Sequence, residues 1–310
     1  MAFQRYLAEE VAIDHADGVL PRREALRRLA LLGLGVPAAS ALLAACGGDG
    51  EPASSTTTGA GEAATPPTPA VETEEVTFPG PQGRTLRGAW AAADQPRGAV
   101  LVIHENRGLT DHIKAVGGRL AGDGYTSLAL DLLSRAGGTG GVPDATAALG
   151  AISTPDLVTD IRSALDELKS RVSGVKLGMV GFCFGGGMTW QTLNSGPSDL
   201  AAAVPFYGPA PDAPTFTGSQ AAVLGVFAEK DARVNAGKDK LEAALTTAGL
   251  THELVTVPGV DHAFFNDTGP RYDQAAAGQI YQRVLDWFGT HLAGESASRG
   301  CARAFAARRP

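Results

Sequence analysis

The feature that most constrains the fold is an alternation of apolar runs and amphipathic segments between residues 72 and 294. The apolar runs are RGAVLVIHE, YTSLALDL, VKLGMVGF, LAAAVPFYG, AVLGVFAEKD and THELVTVPG. Helical patterns such as DHIKAVGGRLAGDG, TPDLVTDIRSALDELKSR and YDQAAAGQIYQRVLDWFGTHLA lie between or after them. Buried strands that alternate with helices predict an α/β fold, with a mostly parallel sheet covered by helices on both faces. EEVTF and LRGAWAA precede these runs and predict an antiparallel pair.

Composition excludes several classes of protein. The chain has 310 residues, 44% of them hydrophobic, which is enough for one large core. A net charge of −7 without a basic stripe argues against a nucleic-acid partner. Three widely spaced cysteines do not form a disulfide framework. The sequence lacks the ligand spacings of metal sites and a glycine-rich dinucleotide motif after the first core strand, so we expect no cofactor.

The stretch GFCFGGG places Cys183 directly after an apolar run. Gly-x-Cys-x-Gly has the form of a nucleophile elbow, a sharp turn from a strand into a helix. The turn forces its central residue toward positive φ, so the residues two before and two after, Gly181 and Gly185, must lack bulk. A helix N-terminus at Cys183 would also favour the thiolate. A small buried thiol in a tight turn is the other interpretation.

A nucleophilic cysteine needs a base and a group that orients the base. His262 follows the last predicted strand in PGVDHAFFN, whereas His252 opens that strand and His291 lies in the closing helix. Asp231 ends the preceding strand in VFAEKD. Asp261 is a rival, but adjacent residues of an extended loop point in opposite directions. The pattern therefore predicts His262 as base and Asp231 as its orienter, although a capping role for the aspartate is also possible.

Five motifs, HENRGL, LDLLSR, GFCFGG, EKDARV and DHAFFN, occur in this order and resemble the dienelactone hydrolase family. The resemblance covers about residues 72–292. It implies an α/β-hydrolase fold and the cleavage of a small-molecule ester or lactone. It also implies a triad of Cys183 as nucleophile, His262 as base and Asp231 as orienter.

The resemblance implies roles for further residues at the predicted strand ends. Glu105 would lie beside the cysteine and hold the thiol neutral until substrate displaces it, because two adjacent anions repel. The backbone N–H groups of Phe184 and Asn106 would form the oxyanion hole. Arg135 would hold a substrate carboxylate, unless it is a solvated loop residue. Asn266 stands where characterised members carry a second arginine, which leaves the natural substrate open.

Residues 21–46, PRREALRRLALLGLGVPAASALLAAC, predict an export signal outside the folded domain. Arg22 and Arg23 resemble a twin-arginine signal, and LAAC, ending at Cys46, resembles a lipobox whose cysteine is lipidated. The apolar run between them is too short and too rich in glycine and alanine for a membrane span. We therefore expect an exported protein, lipid-anchored to the bacterial cell envelope. The alternative is an amphipathic starter helix; the mixed-charge stretch before Pro21 departs from such signals and would fit a later start codon.

The expected organisation has four parts. Residues 1–46 are the signal, 47–71 a disordered tether, 72–294 the hydrolase domain and 295–310 a disordered tail that contains Cys301. Tether and tail carry too few large apolar residues to offset the entropy of ordering. Three other functions stay open at this point: a non-catalytic binding lipoprotein on a hydrolase scaffold, a redox thiol, and a general short-acyl esterase rather than a lactonase.

Overall fold

A single eight-stranded sheet forms the centre of the computed structural model, which describes residues 2–46 and 69–293. The strands follow the order β1-β2-β4-β3-β5-β6-β7-β8. β1 and β2 pair antiparallel, β2 joins β4 antiparallel, and the strands from β4 to β8 in that order run parallel. This arrangement confirms the predicted α/β-hydrolase fold. The strand bounds are β1 Glu74–Pro79, β2 Thr85–Ala91, β3 Gly98–Ile103, β4 Tyr125–Leu130, β5 Leu177–Phe182, β6 Leu200–Phe206, β7 Ala222–Ala228 and β8 His252–Val257.

Ten α-helices lie within the described residues, and helices cover both faces of the sheet. Their bounds are α1 Ala2–Ala16, α2 Arg22–Leu31, α3 Val36–Cys46, α4 Asp111–Gly122, α5 Ala145–Gly150, α6 Thr154–Arg171, α7 Phe184–Asn194, α8 Ala232–Asn235, α9 Lys238–Thr247 and α10 Gln274–His291.

The central strands are buried on both faces, which explains why their sequences are apolar runs rather than alternating patterns. Every residue of β3, β4, β5 and β7 is buried. The covering helices are amphipathic. In α6, Ser153 caps the N-terminus by accepting a hydrogen bond from the Asp156 N–H, and Leu157, Ile161 and Leu168 lie on its buried face. This packing fixes the strands whose carboxyl ends carry the site.

The register of the parallel strands brings the predicted site residues to one edge of the sheet. Ile103 of β3 pairs with Gly181 of β5, so the segments that follow these strands, with Glu105 and Cys183, are neighbours. β7 and β8 are paired up to Ala228 and Val257, so the loops after them also lie side by side. Chemistry at the carboxyl ends of parallel strands is typical of such sheets.

Residues 2–46, here called the N-terminal arm, differ from the expectation that they lie outside the folded domain. Leu7, Ala12 and Leu29 are fully buried and belong to the same apolar core as the sheet. The arm packs because α1 and α2 present apolar side chains to each other and to the short helix α5. Processing and lipidation of this segment stay predictions.

Two of the predicted segments fall mostly outside the described residues. These are the tether, of which residues 47–68 are not described, and the predicted tail 295–310, which includes Cys301 and lies wholly outside the described residues. Among the described helices, none combines the length and the apolar character needed to cross a bilayer.

Candidate active site

Cys183 lies between β5 and α7 in the turn that the sequence predicts. Its φ is +54°, a left-handed value that is costly for a residue with a side chain. The side chain is buried, and the residue is the N-cap of α7. The cysteine is therefore held at a strained strand-to-helix turn at the carboxyl edge of the sheet.

The flanking glycines are there because backbone occupies the space that a Cβ would need. A Cβ on Gly181 would lie 2.1 Å from the carbonyl oxygen of Gly185. A Cβ on Gly185 would lie 2.3 Å from the carbonyl oxygen of Ile103, and one on Gly186 would lie 2.2 Å from that of Phe206. Such separations are far below van der Waals contact, so α7 can approach the sheet this closely only without these side chains.

His262 and Asp231 form a buried hydrogen-bonded pair after β8 and β7. The ring Nδ1 of His262 lies 2.5 Å from Oδ2 of Asp231. Burial raises the pKa of Asp231, but the hydrogen bond and charge of His262 outweigh it and hold the pKa below its usual value. The rival Asp261 instead accepts a hydrogen bond at 3.1 Å from the backbone N–H of His262, so its carboxylate does not orient the ring.

The imidazole of His262 lies close to Cys183 and Glu10. Because Asp231 accepts at Nδ1, the lone pair of a neutral ring lies at Nε2, which has no hydrogen-bond partner among the described residues. Cys183 Sγ, a ring nitrogen of His262 and a carboxylate oxygen of Glu10 all lie within 4.8 Å of one another. The residues that the sequence singled out as nucleophile, base and orienter are thus neighbours, with an acidic residue of the arm beside them.

The closest polar partners of the thiol come from α1. Tyr6 Oη lies 3.2 Å from Cys183 Sγ, and the thiol donates to Oε2 of Glu10 at 3.7 Å. Burial, then the charges of Glu10 and Glu105, raise the pKa of Cys183 well above its ordinary value. The cysteine is therefore a neutral thiol in this state. Sequence reasoning missed Tyr6 and Glu10 because the arm was assigned to a signal.

Glu105 is buried at the pocket wall. Burial raises its pKa, and its Oε1 has no hydrogen-bond partner within the described ranges. Asn266, at the position where a second arginine was expected, donates its amide to Oε2 of Glu105. His104 fixes the backbone here, because its Nδ1 lies 2.6 Å from the Glu105 carbonyl while its Nε2 accepts from the Leu132 N–H at 3.0 Å. The side-chain amide of Asn266 is therefore a hydrogen-bond donor to Glu105.

The two backbone amides predicted to form an oxyanion hole belong to Phe184, which follows Cys183 directly, and to Asn106, in the loop after β3. Phe184 is the first residue of α7, so its N–H is not consumed by the hydrogen bonds of the helix. Asn106 lines the same pocket as Cys183 and Glu105. Its carbonyl accepts a hydrogen bond from the Thr146 hydroxyl at 3.2 Å, which holds this loop against α5.

Arg135, predicted to bind substrate, has other partners. Its guanidinium lies 2.6 Å from Oδ2 of the buried Asp160 and 3.0 Å from Oδ1 of Asp156, both on α6. It is not among the residues that line the pocket at Cys183, whereas Arg107 and Arg271 are. The structure therefore assigns Arg135 a packing role and places two other arginines at the site.

The pocket beside the cysteine is small, about 100 Å³ with the arm in place. Its lining comes from the arm, from the loops after β3 and β8, and from the turn after β5. The residues that line it are Glu10, Asp14, Val19, Glu105, Asn106, Arg107, Thr110, Cys183, Ala263, Asn266, Thr268, Gly269, Pro270 and Arg271.

Glu10, Cys183 and His262 carry donor atoms that a transition metal accepts. Their surroundings do not suit a cation. The guanidinium of Arg233 already binds the Glu10 carboxylate, and the thiol is neutral because burial and the nearby carboxylates raise its pKa. A metal would have to displace this arginine and the thiol proton together, so the set does not fit a metal site.

Comparison with known proteins agrees with this geometry. A family model described as "Dienelactone hydrolase family" matches residues 86–292. A protein of Saccharolobus solfataricus named "Putative carboxymethylenebutenolidase" is 30% identical over 249 residues, and the match covers 68% of this chain and 96% of that protein. A Salmonella typhi protein of the same name is 30% identical over 213 residues, covering 64% and 78% of the two chains.

Solved structures give the same result. The crystal structure titled "Putative Dienelactone Hydrolase" from Klebsiella pneumoniae is similar with a TM-score of 0.63 and 28% identity, and the match covers 71% of this chain and 99% of that one. The family match begins at residue 86 and does not include the N-terminal arm.

Proposed function

The chain belongs to the dienelactone hydrolase family, and from this premise we propose that it hydrolyses carboxylic esters or lactones through a Cys183–His262–Asp231 triad. One observation carries the proposal. A cysteine at a strained strand-to-helix turn lies within 4.8 Å of a histidine ring nitrogen, and that histidine is hydrogen-bonded through Nδ1 to a buried carboxylate. A redox thiol or a passive binding pocket would not need an oriented imidazole.

The reaction is acyl transfer in two steps. His262 Nε2 takes the thiol proton as Cys183 Sγ attacks the carbonyl carbon, forming a C–S bond and a tetrahedral oxyanion. Collapse of this intermediate breaks the C–O bond, and His262 returns the proton to the leaving oxygen. Water, deprotonated by His262, then cleaves the thioester and regenerates the thiol. Asp231 stays ionised throughout and stabilises the imidazolium.

The oxyanion is assigned to the backbone N–H groups of Phe184 and Asn106. Donors of this type are each worth about 3 kcal/mol in the transition state. Because the donor is backbone, side-chain substitution at either position has a smaller effect than substitution in the triad.

Two features at the pocket favour a substrate that carries a carboxylate. Arg107 and Arg271 line the pocket, and both are paired with acidic side chains of the arm. Guanidinium groups bind carboxylates through paired, charge-assisted hydrogen bonds. A panel of lactones, aryl esters and thioesters, each with and without a carboxylate, distinguishes a lactonase from a general short-acyl esterase.

The decisive experiment is burst labelling with an activated aryl ester. We expect one equivalent of acyl group on the Cys183 peptide, detected by mass spectrometry, and its loss in His262→Ala. Acylation that persists in His262→Ala would remove the histidine from the mechanism. Absence of acylation under all conditions would favour a binding protein.

We also propose that the arm is an export signal and that Cys46 is lipidated. Two observations support this proposal. In the sequence an arginine pair is followed by an apolar run and then by a lipobox, and Arg22 and Arg23 are exposed at the start of α2. Cys46 is the last residue of α3. Metabolic labelling with a fatty acid, compared between the wild-type chain and Cys46→Ala, tests this; equal labelling of the two would reject it.

A further inference from the structure

We propose that α1 is an autoinhibitory plug, whose acidic face is held by three arginines of the hydrolase domain and whose Tyr6 and Glu10 fill the place of the substrate's ester group. The proposal rests on the proposed function in one respect, namely that Cys183 and His262 react with substrate. It goes beyond that function because it states when the site is accessible.

The plug occupies the reacting centre. Glu10 Oε2 lies 3.7 Å from Cys183 Sγ, and Oε1 lies 3.5 Å from His262 Nε2. An ester group would have to lie between Cys183 Sγ and His262 Nε2. There the sulfur can attack its carbonyl carbon while the ring donates a proton to its leaving oxygen. Tyr6 Oη, 3.2 Å from the sulfur, closes a second direction of approach.

The plug also covers the start of α7. The Phe3 ring packs edge-to-face on Phe184 with ring centres 5.3 Å apart. The same ring would lie 2.9 Å from a Cβ on Gly187, so α1 approaches the helix that follows the nucleophile as closely as the glycine allows. With α1 in place the cavity is about 100 Å³, whereas ligand pockets are typically about 300–1,000 Å³. A substrate of ordinary size cannot enter this closed state.

Ion pairs between the arm and the domain help to keep α1 over the active site. Arg233 donates to Glu10 and lies over the Tyr6 ring, with its guanidinium carbon 4.6 Å from the ring centre. Arg107 lies 3.3 Å from Asp14. Arg271 lies 3.5 Å from Asp14 and 3.2 Å from Asp17, just past the end of the helix. Arg107 is 48% exposed, so added salt screens its pair with Asp14 more than the buried pair at Glu10.

The arm can separate without loss of the sheet. No residue of the arm contributes a strand, because the described sheet consists only of β1 to β8, which begin at Glu74. The second attachment is also ionic, since Arg27 and Arg28 of α2 lie 3.2 and 3.4 Å from Asp144, the cap of α5. Opening therefore exposes the buried apolar side chains of the arm to water but breaks no strand pairing of the sheet. Cleavage before Cys46, as the export proposal expects, would make opening permanent.

The test is the rate at which neutral iodoacetamide alkylates Cys183 in the full-length chain, followed on the Cys183 peptide by mass spectrometry. Arg107→Glu places a negative charge against Asp14 and should open the plug, so we expect alkylation at least about tenfold faster, which corresponds to a shift of one decade in the open population. Electrostatics alone predicts the opposite, because a new negative charge near the thiol raises its pKa and slows alkylation. Arg5→Glu is the matched control, because Arg5 is 85% exposed on α1 and, among the residues that the structure describes, its ion-pair partner is Glu9.

The outcomes separate the two proposals. Faster alkylation in folded Arg107→Glu, with Arg5→Glu unchanged, supports the plug. An equal or slower rate in Arg107→Glu, with an unchanged thermal unfolding transition, overturns it. Faster alkylation without hydrolysis of an aryl ester in any variant keeps the plug and rejects the hydrolase function. Measurable hydrolysis that is equal in wild type and Arg107→Glu, together with equal alkylation, rejects the plug and keeps the function.

Discussion

The hydrolase domain and the N-terminal arm both place side chains against one sulfur atom, but different forces hold them there. The domain positions Cys183, His262 and Asp231 after the carboxyl ends of paired strands of the sheet. The arm positions Tyr6 and Glu10 through an α-helix that ion pairs and buried apolar side chains fix to the domain. The geometry of the nucleophile is therefore inherent in the core, whereas access to it depends on a peripheral element.

The largest expected effect is on the domain side of this comparison. Cys183→Ala should lower aryl-ester hydrolysis by at least about 10⁴-fold, because the nucleophile is lost. The measurement is best made in an Arg107→Glu background, so that the arm does not limit the rate. Cys301→Ala is the matched control and should leave the rate unchanged; similar losses in both would place the chemistry elsewhere.

Asp231→Asn should reduce kcat by about 10³ to 10⁴-fold, because an amide stabilises the wrong ring tautomer and no longer supports the imidazolium. Asp261→Asn provides the control, since that carboxylate accepts from backbone rather than from the ring. We expect less than about a threefold change there. Comparable losses in the two variants, measured by steady-state kinetics, would reverse the assignment of the orienting carboxylate.

Glu10→Gln should move the pH dependence of Cys183 alkylation to lower pH. Burial is the largest cause of the raised pKa of Cys183, and the charge of Glu10 is the next. A neutral glutamine removes that charge, so the thiolate forms at lower pH, although burial still keeps the pKa raised. Rates measured between about pH 7 and 11 give the midpoint. Glu9→Gln, which removes the neighbouring charge on α1, should leave the midpoint unmoved.

The smallest expected effects come from substitutions of two arginines, Arg271 and Arg135. In the Arg107→Glu background, where the plug is already weakened, Arg271→Gln should raise KM for a carboxylate-bearing ester about tenfold and leave KM for a neutral ester nearly unaffected, because Arg271 lines the pocket. Arg135→Gln should change neither KM by more than about twofold, but should lower the free energy of unfolding by about 1–3 kcal/mol, since the buried Asp160 loses its 2.6 Å ion pair and is left with the weaker contact to Arg84 at 3.4 Å. A raised KM in Arg135→Gln would restore its predicted role in binding.

Local rules predicted the domain well because its site lies at strand ends. The elbow at Cys183 follows from steric needs of a short motif, and the loop positions of His262 and Asp231 follow from the order of strands. The partners of Arg135 and Asn266 could not be predicted, because nothing local shows which acidic or amide group a side chain will reach.

The arm was the part that sequence patterns misplaced in space. Tyr6 and Glu10 contact Cys183 across 177 and 173 residues, and no periodicity reports so distant a contact. Their acidic neighbours, Asp14 and Asp17, were the available signal: a helix with a one-sided run of carboxylates faces something basic. Of the arginines that pair with the carboxylates of the arm, Arg107 and Arg271 lie in the loops after β3 and β8, and Arg233 lies in α8, which follows β7.

The distance along the chain between α1 and its arginines has a consequence for biosynthesis. α1 is synthesised before the sheet, yet Asp14 pairs with a guanidinium 257 positions later in the chain. Long loop closures are formed late, since their entropic cost is repaid only when both ends are structured. We therefore expect each newly made molecule to complete the sheet, with its sulfur still uncovered, before α1 packs against it.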